Sequence, residues 1–230
     1  MTVAVVIPAL NEAAALPATL SSVADQAGPA EVVVVDGGSA DATRAEAEAA
    51  GVRVIVAERG RAQQMNAGAA ASSGDGLLFL HADTTLPPDA LARVREALAD
   101  PAVAGGCFRL RFDRDSFWLR FWTLPLRMRW HRWAFGDRAL FVRRSVFDAV
   151  GGFPEQPLFE DLDLVRALRR RGRFVFLDAA VTTSARRFEA GGPFRQQLRN
   201  LVIWAGWLVG ADPARLRHLY PYREREACGG

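Results

Sequence analysis

The first hundred residues alternate between unbroken apolar runs and segments of helical periodicity. Val3-Ala4-Val5-Val6-Ile7-Pro8 is continuous rather than alternating, the pattern of a strand covered on both faces. Pro8-Ala9-Leu10-Asn11-Glu12 breaks it, and an Ala/Leu-rich helix is predicted to about Gln26. A second buried run, residues 31–35, ends in Asp36-Gly37-Gly38-Ser39. Its paired glycines allow a tight turn, and Ser39 is placed to cap a helix reaching Ala50. Residues 52–57 read as a third strand, followed by Glu58-Arg59-Gly60-Arg61 and a helix from Ala62 to about Ser72. The fourth, Gly76-Leu77-Leu78-Phe79-Leu80, runs into His81-Ala82-Asp83-Thr84. This repeated alternation predicts an α/β fold with an open, mostly parallel sheet and helices on both faces.

The second half is patterned differently. Residues 103–112 set Cys107, Arg109 and Arg111 against Phe108, Leu110 and Phe112, which predicts a half-buried strand. Residues 116–135 interleave Trp118, Phe121, Trp122, Trp130 and Trp133 with Arg120, Arg127, Arg129 and Arg132. Three readings stay open for that segment: core packing, an acceptor-binding wall, and a membrane-surface patch. Gly136-Asp137 turns into a strand, and Phe147-Asp148-Ala149-Val150-Gly151 closes a short helix on a glycine C-cap. Phe159-Glu160-Asp161-Leu162-Asp163 opens a helix with an acidic first turn, and residues 169–171 are arginines at its far end, which suits the macrodipole. A strand at 173–177, the strip Thr182-Thr183-Ser184-Ala185-Arg186-Arg187-Phe188 and a helix over 193–209 follow. The apolar part of that helix, around Leu201 and Trp207, is short for a bilayer span and fits a buried helix or a homodimer face.

Composition narrows the chemistry. All 29 residues in the Lys and Arg count are arginine, which excludes a lysine nucleophile or Schiff base. Guanidinium groups can still clamp phosphate. A net charge of +3 without an aromatic-and-groove pattern does not point to nucleic acid. Cys107 and Cys228 give neither a disulfide framework nor metal spacing. Met1 leads directly into a strand without a signal-peptide pattern. The expectation is a cytoplasmic protein, with peripheral contact at the inner membrane surface left open.

Acids fall after strand one (Glu12), strand two (Asp36) and strand four (Asp83), which would gather them on one carboxyl edge. Ligands of open α/β sheets bind at that edge. Turn preference explains any single Asp or Asn, and Asp83 could instead cap the helix near Pro88. A cluster after each strand is better explained by a shared ligand of nucleotide length. Asp83, on a rigid element, has the hard oxygens that suit a divalent cation.

Pro8-Ala9-Leu10-Asn11-Glu12, Val35-Asp36-Gly37-Gly38-Ser39, His81-Ala82-Asp83 and Glu160-Asp161, in that order, resemble the motifs of family 2 glycosyltransferases with the GT-A fold. Gly60-Arg61-Ala62-Gln63-Gln64-Met65-Asn66, Gly136-Asp137 and Ser184-Ala185-Arg186-Arg187-Phe188 are similar to hallmarks of a small bacterial subgroup from radical-SAM and selenium-type gene neighbourhoods. The resemblance covers about residues 1–190 and implies a nucleotide-binding half (1–100), an acceptor half (101–190) and a helical extension (191–230) packed on the same domain. It implies that Pro8, Ala9, Asn11, Glu12, Asp36 and Gly37 line the nucleoside pocket. Arg61, Asn66 and Ala82 would lie near the diphosphate or donor sugar, with Arg186 and Arg187 as further guanidinium candidates. Asp83 matches the metal-binding acid of the family's Asp-x-Asp motif, for Mn²⁺ or Mg²⁺. The chain departs from that motif at His81, which either supports the metal site, weakens metal dependence or is a buried structural histidine.

The implied reaction is inverting transfer of a sugar from a nucleotide-diphosphate sugar to an acceptor hydroxyl. Asp161 is the expected base, with Glu160 adjacent and Asp163 third. A non-catalytic nucleotide-sugar-binding module is the main rival. A sugar-nucleotide pyrophosphorylase is disfavoured because its basic phosphate loop has no counterpart here.

Overall fold

A computed structural model describes residues 1–114, 136–156, 158–186, 201–207, 209–211 and 216. The Trp/Arg segment and Arg187 lie outside the described residues. The chain divides into two compact units, Met1–Glu155 with Glu160–Ala185, and Gln156–Phe159 with Arg186–Gly230.

The first unit is built on β1 (Val3–Ala9), α1 (Leu16–Ala24), β2 (Ala30–Asp36), α2 (Thr43–Ala49), β3 (Arg53–Val56), α3 (Arg61–Ala70) and β4 (Gly76–Phe79). It continues through β5 (Thr84–Thr85), α4 (Ala90–Ala99), β6 (Val103–Phe112), a 3₁₀ turn (Gly136–Arg138), β7 (Leu140–Arg143), α5 (Arg144–Val150), α6 (Glu160–Leu168) and β8 (Arg173–Thr183). Among the described residues the strands form one sheet of order β3-β2-β1-β4-β7-β6-β8-β5. β3, β2, β1 and β4 are mutually parallel, and β7 lies antiparallel to both β4 and β6.

The apolar runs explain that order. Val3, Val5 and Ile7 of β1 pack on one face with Leu16, Leu20 and Val23 of α1 and Leu91, Val94 and Leu98 of α4. Ala4 and Val6 point the other way, against Ala62, Met65 and Ala69 of α3 and Leu164, Val165 and Leu168 of α6. Both strand faces are therefore dry, which is why the run is continuous. Gly68 lets α3 lie close: a Cβ there would fall 2.3 Å from Val6 Cγ1.

Some local expectations change. Residues 103–108 are buried on both faces because β6 feeds two core clusters, Val103 and Phe108 into one and Ala104 and Cys107 into the other; alternation begins only at Arg109. The predicted strand at 173–177 and the strip beginning at Thr182 are one strand, β8, with a register irregularity opposite residues 107–109. Ser39 does not cap α2, which begins at Thr43 with no side-chain cap. Asp83 does not cap α4 either; Asp89 stands at that N-cap position.

In the second unit, residues 201–207 are helical, and the Trp207 ring lies 5.4 Å from that of Phe159. Among the described residues no helix is long and apolar enough to cross a membrane.

Candidate active site at the carboxyl edge of the sheet

Strand order places the crevice. β1 connects to β2 on one side and has β4 on the other, so the order of strands reverses between β1 and β4, where open α/β sheets bind their ligands. The β1–β4 ladder runs to the Leu80 N–H donating to Val6 O at 3.0 Å. Pro8 has no N–H to carry it further, so the two chains part and continue as Leu10-Asn11-Glu12 and His81-Ala82-Asp83.

The loops after β1 and β2 lock each other. Asn11 adopts φ 54°, a left-handed conformation that asparagine tolerates. Its backbone N–H donates to Ser39 Oγ at 2.9 Å, and its Oδ1 accepts from Ala40 N at 2.8 Å. Glu12 N donates to Thr43 Oγ1 at 2.8 Å, and the Glu12 side chain is buried. Burial opposes ionisation of Asp41, but hydrogen bonds from Thr43 and Ala13 outweigh it and hold the carboxyl below its ordinary range. Asp36 is fully buried and receives the backbone N–H groups of Gly38 and Ser39 at 3.1–3.2 Å, with Arg44 Nε at 3.7 Å. Both Asp36 oxygens thus hold the turn, while a carboxylate keeps further acceptor capacity for a base.

Gln64 ties this edge together from α3. Its Nε2 donates to Ala9 O at 2.9 Å and to Val35 O at 2.8 Å, satisfying the carbonyls where β1 and β2 end. Gly37 lies over that amide, and a Cβ on it would stand 3.0 Å from the Gln64 side chain. Asn66, expected near the diphosphate, bonds the backbone of Phe153. Its Nδ2 donates to Phe153 O and its Oδ1 accepts from Phe153 N, each at 2.9 Å. The structure commits this amide to joining α3 with the loop after α5.

On the β4 side, Ala82 is buried and its carbonyl accepts from Thr19 Oγ1 at 2.8 Å. The Asp83 backbone carbonyl accepts from Ser184 N at 3.1 Å, which fixes the loop that carries its carboxyl group. His81 is 9% exposed, and its Nδ1 lies 3.3 Å from Asp137 Oδ1.

Glu160 and Asp161 are both buried at the start of α6. Burial pushes the Glu160 carboxyl above its ordinary value; Arg61 pulls it back, and Asp137 adds to the rise. Glu160, Arg61, Asp137 and His81 are thus one electrostatic neighbourhood, joining the starts of α3 and α6 to the end of β4. Asp161 Oδ1 accepts from Leu162 N at 2.7 Å. Of the non-glycine residues with positive φ in the first unit, Asn11 precedes Glu12, Ala139 follows the turn that holds Asp137, and Asp89 lies apart at the start of α4. Backbone strain of this kind gathers at functional sites.

Arg186 belongs to the second unit. Asp137 and Gln64 lie in the motifs Gly136-Asp137 and Gly60-Arg61-Ala62-Gln63-Gln64-Met65-Asn66, which by themselves imply no site role for either residue. Among the described residues, no group of at least three His, Cys, Asp or Glu side chains could hold a metal. That donor set does not make an all-protein cage. A cation held by Asp83 would have to be completed by other groups, such as substrate phosphates.

The architecture is that of a GT-A fold. A profile of Glycosyl transferase family 2 matches residues 4–154, and the chain belongs to that family. Over 158 residues it is 33% identical to a PGL/p-HBAD biosynthesis glycosyltransferase of Mycobacterium tuberculosis, covering 65% of this chain and 62% of the relative. The chain therefore spans under two thirds of that relative's length. It is 36% identical over 101 residues to a glucosyl-3-phosphoglycerate synthase of the same species, covering 37% of this chain and 30% of the relative. Among solved structures, a mannosyltransferase from Pyrobaculum calidifontis in complex with GDP-Man and Mn²⁺ superimposes with a TM-score of 0.69 at 20% identity, over 93% of this chain and 66% of that one. The M. tuberculosis glucosyl-3-phosphoglycerate synthase, with Mn²⁺, UDP and glucosyl-3-phosphoglycerate, does so with a TM-score of 0.61 at 21% identity, over 89% and 80%.

Proposed function

We propose that this chain transfers a sugar from a nucleotide-diphosphate sugar to an acceptor hydroxyl, with a divalent cation and inversion at the anomeric carbon. The observation that carries the reading is the convergence at one sheet edge. Asp36 ends β2 and Asp83 follows β4, the two parallel strands that flank β1, and Glu160 feels both Arg61 and the Asp137 that approaches His81. Relatives crystallised with GDP-Man or UDP and Mn²⁺ support the donor class.

In this reading Asp36 accepts from the base, Glu12 faces the ribose, and Arg61 offers its guanidinium to the departing diphosphate. Asp83 would hold Mn²⁺ or Mg²⁺, which when bound stabilises the charge developing on the leaving group. Asp161 takes the acceptor proton, with Glu160 as its buried neighbour. Direct attack without a covalent intermediate gives inversion. Cytoplasmic placement, a dimer through the C-terminal helix, the division at residue 190 and membership of the radical-SAM-associated subgroup belong to the same proposal.

His81 in place of an acid supports a second reading, a module that binds nucleotide sugars without turning them over. Incubation with nucleotide-sugar donors, Mn²⁺ and an acceptor panel separates the two. The first reading expects nucleotide-diphosphate release that Asp161→Asn abolishes. Binding without release across the panel supports the second.

A further inference from the structure

We propose that Asp137 is a positioning residue, which accepts the Nδ1 proton of His81 and holds the imidazole in one tautomer and one orientation beside Asp83. The sheet register delivers the two side chains to each other. β4 and β7 run antiparallel with Phe79 opposite Leu140. Continuing β4 forward leads to His81, and continuing β7 backward leads through Arg138 to Asp137. The 3₁₀ turn at Gly136–Arg138 and the left-handed Ala139 (φ 50°) set the entry into β7. The result is the 3.3 Å separation between Nδ1 and Oδ1.

The His81 backbone is fixed independently, because its carbonyl accepts from Thr84 N at 3.1 Å and Leu80 N is bound to Val6 O. With the backbone held, ring orientation and proton position are set by what the ring nitrogens meet, and Asp137 Oδ1 stands 3.3 Å from Nδ1. The partner of one ring nitrogen decides which nitrogen carries the proton. A carboxylate at Nδ1 selects the Nδ1–H form, so that Nε2 is an acceptor rather than a donor. Asp137 also acts on Glu160, so one residue links the end of β4 to the start of α6. The consequence for turnover rests on the donor-site reading above; the consequence for the ring does not.

Two measurements on the full chain test this. The sequence has three histidines, so ¹⁵N-histidine labelling gives few signals, and His81→Gln identifies those of His81. At a pH where the ring is neutral, long-range ¹H–¹⁵N correlations should show the Nδ1–H pattern for His81. Asp137→Asn, with an unchanged circular dichroism spectrum, should shift the ring toward Nε2–H, and Asp137→Glu should keep the original pattern. Nε2–H in the wild-type chain, or the same tautomer with and without the carboxylate, overturns the proposal. If Asp137→Asn does not fold, the wild-type spectrum decides.

The second arm is a double-mutant cycle on kcat with a nucleotide-sugar donor and Mn²⁺. His81→Gln, Asp137→Asn and the double variant should lose activity to the same extent, within about threefold, as expected of coupled sites. A double variant whose loss is the product of the single losses overturns the proposal. A wild-type chain that turns over no donor refutes the transferase reading instead, and the tautomer then decides the role of Asp137.

Discussion

The carboxamide of Asn66 bonds both the N–H and the C=O of Phe153, each at 2.9 Å, across 87 residues of sequence. Beneath this bridge Phe153 meets Phe79 edge-on, with ring centroids 4.7 Å apart, and Phe147 lies 5.3 Å from Phe79. The chain just after α5 is thereby anchored to α3 and β4.

Asn66→Ala leaves both Phe153 backbone groups without their partner, partly out of water. Losing such bonds costs about 1–3 kcal/mol. Chemical denaturation should show that loss, with a smaller effect on donor affinity. A large fall in affinity with unchanged stability would return Asn66 to the ligand side of the cleft.

Gln64 is placed to matter for both. Gln64→Leu strips the Ala9 and Val35 carbonyls of a donor at the lip of the proposed nucleoside pocket. Roughly 1–3 kcal/mol of stability should go, together with nucleotide affinity, read by denaturation and by calorimetry with the donor. Intact affinity would show that the lip is held by other contacts.

Acid variants should divide the labour at α6. Asp161→Asn is expected to reduce kcat by about 10²–10⁴-fold with little change in KM, the range for a general base. Glu160→Gln should lose less. The reverse ranking in steady-state kinetics would move the base to Glu160, the residue that faces Arg61.

Glu160 also has a pH signature in stability. Its carboxyl is raised by burial, so over the interval above the ordinary glutamate range the folded state binds more protons than the unfolded one. Stability from this group is therefore greatest at low pH and falls as pH rises through that interval. Relative to wild type, Glu160→Gln should gain stability with rising pH and then level off. A difference that is flat with pH, in thermal melts from acid to neutral, would contradict the buried, raised carboxyl.

The parallel half of the fold was legible because each strand is buried on both faces and reads as an uninterrupted run, as at Val3–Ile7. The acids at strand ends were legible for the same reason, since parallel strands share one carboxyl edge. Asn66 was not, because its partner is backbone of another loop and leaves no side-chain pattern. Asp137 follows a segment with no strand or helix signature and reaches His81 only through antiparallel pairing of β4 with β7, a register that the sequence does not announce. The far part of β8 was obscured by Asp178, an exposed residue of the strand beside its register irregularity. Ser39 shows the limit of turn chemistry, since its hydroxyl serves Asn11 of another loop rather than its own helix.

A nucleotide-diphosphate sugar is proposed to bind at the carboxyl edge with a cation held by Asp83. Thermal unfolding of the wild type and Asp83→Asn, with a panel of donors and with or without Mn²⁺, tests that most directly. One donor at about a hundred times its dissociation constant should stabilise the wild-type chain by roughly 2.7 kcal/mol, only with the cation, and the variant should lose most of that gain. No shift with any nucleotide sugar, or a shift that Asp83→Asn keeps in full, would contradict it.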